Sequence, residues 1–164
     1  MPWDPSQYLK FAGHRLRPAI DLLGRVNLDS PSIVYDLGAG AGNVTELLAT
    51  RWPDARVIGV DNSEEMLQQA GERAANIEWE VGDIGSWAPK EPAELIFTNA
   101  ALHWIGDHTD LFTRLMSSIA IGGVFAVQMP RNFGAISHTS ISEAALNGPW
   151  RSKLKPLLRP TPVE

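Results

Sequence analysis

A short apolar segment ends in an acid and runs directly into three glycines at alternate positions, Gly38, Gly40 and Gly42. Residues 33–37 before them have the pattern of a buried strand, and the pattern from residue 43 onward is typical of a helix. Glycine has no side chain, so a ligand can approach the backbone closely at such a turn. The first turn of the following helix adds free amide donors and the positive end of the helix dipole. This order of strand, glycine turn and helix predicts a cofactor site in an α/β sheet.

The composition indicates one globular domain with a hydrophobic core. The chain has 164 residues, 44% of them hydrophobic, and a formal net charge of −5. No apolar run is long enough to span a bilayer, and the first residues lack the basic and then apolar pattern of a signal peptide. The acidic balance provides no basic surface for nucleic acid, and the lack of cysteine excludes disulfides, thiolate nucleophiles and cysteine metal sites. We therefore expect a cytoplasmic protein with no nucleic-acid partner, no membrane contact and no metal.

Apolar runs and helical patterns alternate along the rest of the chain. Strands are predicted at residues 33–37, 56–61, 77–81, 95–99 and 124–129, and helices at 43–52, about 62–75 and 107–119. Asn43 and Glu46, three residues apart, resemble a capping box at the start of the first helix. Gly122 and Gly123 are interpreted as the turn into the last strand. The alternation predicts an α/β fold with a Rossmann-like, doubly wound and mostly parallel sheet.

The segment before the first strand, up to about residue 26, carries apolar side chains at roughly helical spacing. A helix packed over the sheet explains this spacing, because an apolar stripe on a helix usually faces a core. Pro18 is expected to mark a break or the start of a new helix. In a second interpretation, Tyr8 and Phe11 form a lid over the ligand site.

Acidic side chains at the ends of the predicted strands separate two classes of cofactor. Dinucleotide sites show the pattern G-x-G-x-x-G, whereas here the third position is Asn43. Asp36 precedes the turn, where a carboxylate would repel a pyrophosphate but would suit an amine or a sulfonium. Asp61 ends the second strand and is placed to accept both ribose hydroxyls, and Asp83 follows the third strand, where it could accept from an adenine amino group. These three acids favour S-adenosylmethionine over a dinucleotide.

Four ordered motifs resemble those of the class I S-adenosylmethionine-dependent methyltransferases. They lie at residues 36–42, 59–63, 82–84 and 99–104. The resemblance implies that the cofactor contacts Asp36, Gly38, Ala39, Gly40, Asp61, Asn62, Met66, Asp83, Ile84 and Asn99. It also implies that S-adenosylhomocysteine is the product of the cofactor.

Further segments, at residues 3–9, 102–104 and 127–133, resemble the members of that family that methylate trans-aconitate. This resemblance implies transfer of a methyl group to one carboxylate of a small polycarboxylic acid. A carboxylate is already ionised at neutral pH, so no catalytic base is expected, and catalysis becomes a matter of proximity and orientation. A polyanionic acceptor needs cationic or hydrogen-bonding anchors, for which the candidates are Arg131, His103, Tyr8 and the possible wall residue Trp104. A packed histidine and a solvated loop arginine are the structural alternatives for His103 and Arg131.

We expect a single methyltransferase domain over residues 1–164, with a helical cap at 1–30, a cofactor-binding core at 31–130 and the start of a substrate-side segment at 131–164. Members of the resembled family continue further and complete the sheet with two more strands, so the sheet is expected to be incomplete at its C-terminal strands. The sequence leaves two alternative functions open. The chain could bind the cofactor without turnover, or it could methylate a different small molecule.

Overall fold

Helices and strands alternate along the computed structural model, which describes residues 12–71 and 76–158. The strands are β1 (Ile33–Leu37), β2 (Arg56–Asp61), β3 (Glu78–Val81), β4 (Ala93–Asn99) and β5 (Ile119–Gln128). The α-helices are α1 (Ala12–Leu23), α2 (Asn43–Arg51), α3 (Glu64–Gly71), α4 (His108–Ser117), α5 (Ile136–Leu146) and α6 (Arg151–Leu154), and 3-10 turns lie at Leu102–Trp104 and Lys155–Leu157. No helix in the described residues is long and apolar enough to cross a membrane.

All five strands are parallel, and they lie in the order β3-β2-β1-β4-β5. β1 pairs with β2 on one side, from Ile33 opposite Arg56 to Leu37 opposite Val60, and with β4 on the other. The chain therefore winds in one direction from β1 to β3 and in the other from β4 to β5. In such a sheet, ligands bind beyond the carboxyl ends of the strands at the point where the direction changes. The predicted doubly wound, parallel sheet is confirmed.

Hydrophobic layers cover both faces of the sheet, because successive side chains of a strand point to opposite faces. On one face, Val34 and Phe97 pack with Leu48 of α2. On the other face, Ile96 packs with Leu115 of α4. All five side chains are fully buried. Because the strands are all parallel, the loops that follow β1, β2, β3 and β4 open at the same end of the sheet, between these two layers.

The last strand begins earlier than the sequence predicts. β5 starts at Ile119 rather than at residue 124, and Gly122 and Gly123 lie inside it rather than in a turn before it. Ile119 pairs with Ala93 at the start of β4, and the register shifts before Leu95 pairs with Val124. Glycine disfavours strands, so the pattern gave no signal for pairing across this irregular stretch. Among the described residues β5 is an edge strand, with β4 on one side only.

Helix α2 begins at Asn43, as predicted, but its N-cap differs from the prediction. Gly42 is the N-cap residue, and it forms no side-chain cap hydrogen bond. The backbone N–H of Glu46 donates to the Gly42 carbonyl at 2.9 Å. The predicted capping box of Asn43 and Glu46 is therefore wrong, because the helix already includes Asn43.

The predicted N-terminal helix is confirmed for the residues that the structure describes. α1 contains Pro18 in its interior, so the expected break at this proline is wrong. Ala19 on this helix is buried in the layer that also contains Val34 and Leu48. Tyr8 and Phe11, the alternative lid, lie outside the described residues, as do residues 72–75 of the helix predicted to end near residue 75.

Candidate cofactor and active site

The glycine turn between β1 and α2 is tied to the neighbouring strand β2. The backbone N–H groups of Gly38 and Ala39 donate to the carbonyl of Val60, at 2.8 and 3.0 Å. Gly40 has a φ of +54°, a left-handed conformation that residues with side chains rarely adopt. Its backbone N–H donates to Oδ2 of Asp61 at 2.8 Å. The turn is thus held open over the ends of β1 and β2.

Asp61 keeps acceptor capacity for a ligand. Its Oδ2 accepts from Gly40, and its Oδ1 accepts from the backbone N–H of Ser63 at 2.9 Å. Each carboxylate oxygen has two lone pairs, so each can accept a further hydrogen bond. The side chain is partly exposed and borders the cavities described below. Two oriented acceptors on one side chain suit a pair of adjacent hydroxyl groups, as in a ribose.

Two adjoining cavities lie at the carboxyl ends of the strands. The turn cavity, of about 430 Å³, runs along the glycine turn to Met66 and Asn99. The strand-end cavity, of about 340 Å³, extends over the loop after β3. Both are lined by Gly38, Asp61, Ala100 and Trp104, so they form one continuous concave surface.

Most of the predicted cofactor-binding residues line this surface. The turn cavity is lined by Gly38, Ala39, Gly40, Asp61, Met66 and Asn99. The strand-end cavity is lined by Asn62, Asp83 and Ile84, together with Gly38 and Asp61. Residues far apart in the sequence are thus brought to one edge, and their individual roles remain predictions.

Asp36 does not line either cavity. Its side chain is 1% exposed, and Oγ1 of Thr45 donates to its Oδ2 at 2.6 Å. Burial raises the pKa of the Asp36 carboxyl from 3.8 to about 7; the hydrogen bond from Thr45 opposes this shift, and the charge of Asp61 adds to it. The carboxyl thus joins β1 to α2 beneath the turn. Its burial therefore argues against the predicted direct contact of Asp36 with the cofactor.

We expect Asp36→Asn to remove a pH dependence of stability. The folded state binds a proton at Asp36 more tightly than the unfolded chain, so the stability from that proton is complete below about pH 4 and is lost as the pH rises through about 7. The lost contribution is about 4 kcal/mol at most. Urea unfolding from pH 5 to 8 should show wild type losing stability relative to Asp36→Asn. A constant difference between them would contradict the assignment, and Asp54→Asn, at an exposed turn, is the control.

Asn99 carries an acceptor that the described protein atoms leave unused. Its Oδ1 is buried and has no hydrogen-bond partner, although the residue lines the turn cavity at the end of β4. A buried acceptor without a partner is unfavourable, and a donor on a bound ligand would satisfy it. S-adenosylmethionine carries both an ammonium donor and ribose hydroxyls. The polar lining of the surface therefore fits this group.

The predicted substrate residues are distributed unevenly around the surface. Trp104 is 60% exposed and lines both cavities, as expected of a wall residue. His103 is buried, lines neither cavity and packs between Trp104 and Phe133, at 4.6 and 5.9 Å between ring centroids. Burial lowers the pKa of His103, and the charge of His108 lowers it further, so the imidazole is neutral at neutral pH. The structure thus favours the packed-histidine alternative.

Arg131 lies just past the end of β5, on the same edge of the sheet as the glycine turn. Its side chain is exposed and lines neither cavity. Tyr8 lies outside the described residues. The residues brought together at the surface are therefore those predicted for the cofactor, with Trp104 from the substrate set.

Sequence reasoning missed several residues that shape the surface. Ala100 lines both cavities and has a φ of +55°, and Ala101 lines the strand-end cavity. Alanine gives no chemical signal, and a left-handed alanine is not visible in a sequence pattern. Thr45, the partner of Asp36, was also missed. Its position nine residues after Asp36, in the first turn of the helix, was the only available signal.

The fold and the cavities together are those of an α/β protein with a candidate site for a nucleoside-containing cofactor at the switch point of its sheet. Residues 34–123 match the methyltransferase domain family, and the chain belongs to that family. The predicted membership of the methyltransferases and the predicted cofactor class, S-adenosylmethionine, are confirmed.

The chain is similar to proteins named trans-aconitate 2-methyltransferase. It is 49% identical over 152 residues to that of Azoarcus sp. strain BH72 and 46% identical over 153 residues to that of Yersinia pestis strain Pestoides F. Each match covers 93% of this chain and 59% of the relative, so the chain spans about three-fifths of their length. A solved S-adenosylmethionine-dependent methyltransferase from Mesorhizobium loti is 26% identical, with a TM-score of 0.58 over 65% of this chain and 50% of the other.

Proposed function

We propose that this chain transfers a methyl group from S-adenosylmethionine to one carboxylate of a small polycarboxylic acid, trans-aconitate. The observation that carries the proposal is the identity of 46 to 49% to trans-aconitate 2-methyltransferases across 93% of the chain. The continuous surface beyond β1, β2 and β4 supports it, because its lining includes Asp61, Asp83 and Asn99, whose polar groups suit a nucleoside cofactor. The choice of trans-aconitate as the acceptor acid is the more specific part of the proposal.

Different residues of the surface would bind the ribose, the adenine and the amino-acid end of the cofactor. Asp61 would accept the ribose hydroxyls, and Asn62, Asp83 and Ile84 would border the adenine. The glycine turn and Asn99 would hold the amino-acid end. S-adenosylmethionine supplies an activated methyl group, whose transfer to a carboxylate oxygen leaves a monomethyl ester and S-adenosylhomocysteine.

The protein's task in such a reaction is orientation and exclusion of water. An acceptor carboxylate is ionised at neutral pH and needs no base from the protein. The neutral, buried imidazole of His103 is consistent with this, since it reaches neither cavity. Trp104, on the wall shared by the two cavities, would shield the reacting groups from solvent. Holding the acceptor close to the methyl group would then account for most of the rate.

A methyl-transfer assay tests the proposal. The chain is incubated with methyl-labelled S-adenosylmethionine and trans-aconitate, and the ester is identified by mass spectrometry. We expect a trans-aconitate monomethyl ester, and a weaker reaction or none with citrate or succinate. Transfer to another acid but not to trans-aconitate would support a methyltransferase for a different small molecule.

A second function is favoured by one specific observation. Arg131, the predicted substrate anchor, lines neither cavity. The chain would then be a cofactor-binding methyltransferase-like domain without turnover. Binding of S-adenosylhomocysteine without ester formation on any acid would favour this function over the first.

Arg131→Ala is expected to weaken binding of the acceptor acid without changing the affinity for the cofactor. Loss of a charge-assisted contact to a carboxylate should raise the KM for trans-aconitate about tenfold. The Kd for S-adenosylhomocysteine should stay within twofold, because Arg131 lines neither cavity. Arg151→Ala, at an exposed arginine of α6, is the matched control. An unchanged KM would show that Arg131 is only a loop charge.

A further inference from the structure

Arg114 of α4 joins its helix to a single loop by three hydrogen bonds. Its Nη2 donates to the carbonyls of Ile84 and Gly85, at 2.7 and 3.0 Å, and its Nη1 donates to the carbonyl of Trp87. A planar guanidinium can reach three acceptors at once, and hydrogen bonds from a charged donor are stronger than those from a neutral one. The loop at residues 82–87 is therefore fastened to α4 at three of its carbonyls.

The same loop is anchored to the sheet from the other side. The Trp87 side chain is buried, meets the ring of Tyr35 edge-on at 5.0 Å, and donates from Nε1 to Oε1 of Glu80 at 2.9 Å. Within the loop, the carboxylate of Asp83 accepts from the backbone N–H of Gly85 at 2.9 Å. The side chain of Trp87 thus fixes the end of the loop to β1 and β3, and Arg114 fixes the loop carbonyls to α4.

The anchored loop and the segment before α4 line one cavity. The loop contributes Asp83 and Ile84 to the strand-end cavity. The segment that leads into α4 contributes Ala101 and Trp104 to the same cavity. Arg114 lines neither this cavity nor the turn cavity, so it would not touch a ligand there. Its contacts instead link α4, which follows the segment with Ala101 and Trp104, to the loop with Asp83 and Ile84.

We propose that Arg114 is a positioning residue for the cofactor, holding the loop with Asp83 and Ile84 at the spacing from the Trp104 wall that a purine nucleoside requires. The identity of the ligand rests on the proposed function. Arg114 acts through these loop residues on the adenine base, which the ribose separates from the sulfur that carries the transferred methyl group. Its loss should therefore reduce cofactor affinity rather than the rate of transfer.

The variant Arg114→Met keeps the length of the side chain and removes its donors. We expect its Kd for S-adenosylhomocysteine to rise about tenfold, the order of effect of losing hydrogen bonds from a charged group. The Kd for adenosine should rise by a similar factor, because the affected walls contact the nucleoside. Arg114→Lys, which retains the charge but not the planar fork, should give a smaller loss and serves if Arg114→Met does not fold.

Arg51→Met is the matched control. Arg51 of α2 also donates to backbone carbonyls, those of Leu23 and Val26, but lines neither cavity. Both arginine-to-methionine variants should lose thermal stability, and only Arg114→Met should lose affinity when binding is measured well below its Tm. Equal affinities of wild type, Arg114→Met and Arg114→Lys would overturn the positioning role alone. Failure of wild type to bind S-adenosylhomocysteine would overturn the proposed function instead.

Discussion

Replacing Asp61 by alanine should weaken binding of S-adenosylhomocysteine by about two orders of magnitude, because two hydrogen bonds from ribose hydroxyls to a charged acceptor would be lost. The same substitution removes the acceptor for the Gly40 N–H at 2.8 Å and for the Ser63 N–H at 2.9 Å. The glycine turn would thus lose its link to the end of β2 as well. Isothermal titration of the folded variant measures the loss.

The two contributions of Asp61 can be separated by a second variant. Asp61→Asn keeps one oxygen as an acceptor and loses the charge, so we expect an affinity between those of wild type and Asp61→Ala. Asp54→Ala is the control, since Asp54 is an exposed acid at the opposite end of β2. Wild-type affinity in Asp61→Ala would remove the ribose assignment, whatever the acceptor acid is.

Gly38→Ala is the second large effect that we expect, and it acts on stability as well as on binding. A methyl group at Gly38 would lie 2.3 Å from Cβ of Ala101, closer than any real contact of this kind. Gly38 also has a φ of +80°, which costs alanine about 1 to 2 kcal/mol. Overpacking typically adds about 1 to 3 kcal/mol. Urea unfolding should show a loss of about 2 to 5 kcal/mol from the two effects together.

Two further variants isolate the clash from the backbone strain. Gly122 has a φ of +84° and nothing within 4 Å of an added Cβ, so Gly122→Ala should show the strain alone. Ala101→Gly removes the atom that an alanine at Gly38 would meet. The double variant should recover part of the stability and of the cofactor affinity. Its loss of stability should therefore be smaller than the sum of the losses of the two single variants. Equal losses for Gly38→Ala and Gly122→Ala would contradict a close approach of the turn to Ala101.

The architecture was predictable because most of its strands have a clear local sequence pattern. β1 and β2 were predicted with the bounds that the structure shows, since both are short apolar runs that end in an acid or just after one. Parallel strands buried on both faces have this continuous pattern. β5 was placed too late because its pairing with β4 includes two glycines and a register shift. Pairing of that kind depends on the neighbouring strand, which local pattern does not contain.

The placement of the predicted cofactor residues around one surface was predictable for a topological reason. Asp61, Asp83 and Asn99 each end or closely follow a strand, and parallel strands bring such positions to one edge. The burial of Asp36 was not predictable, because it depends on how α2 and Thr45 cover β1. The same holds for His103, whose packing against Phe133 joins residues thirty positions apart. Substrate residues are harder to predict than cofactor residues, since they follow no strand-end rule.

We propose that the surface beyond β1, β2 and β4 binds S-adenosylmethionine or its product. Equilibrium dialysis of the chain with labelled S-adenosylhomocysteine tests this claim without depending on the acceptor acid. We predict saturable binding of one molecule per chain, displaced by unlabelled S-adenosylmethionine and strongly weakened in Asp61→Ala but not in Asp54→Ala. Absence of saturable binding to the folded wild-type chain, or equal binding by Asp61→Ala, would contradict the account.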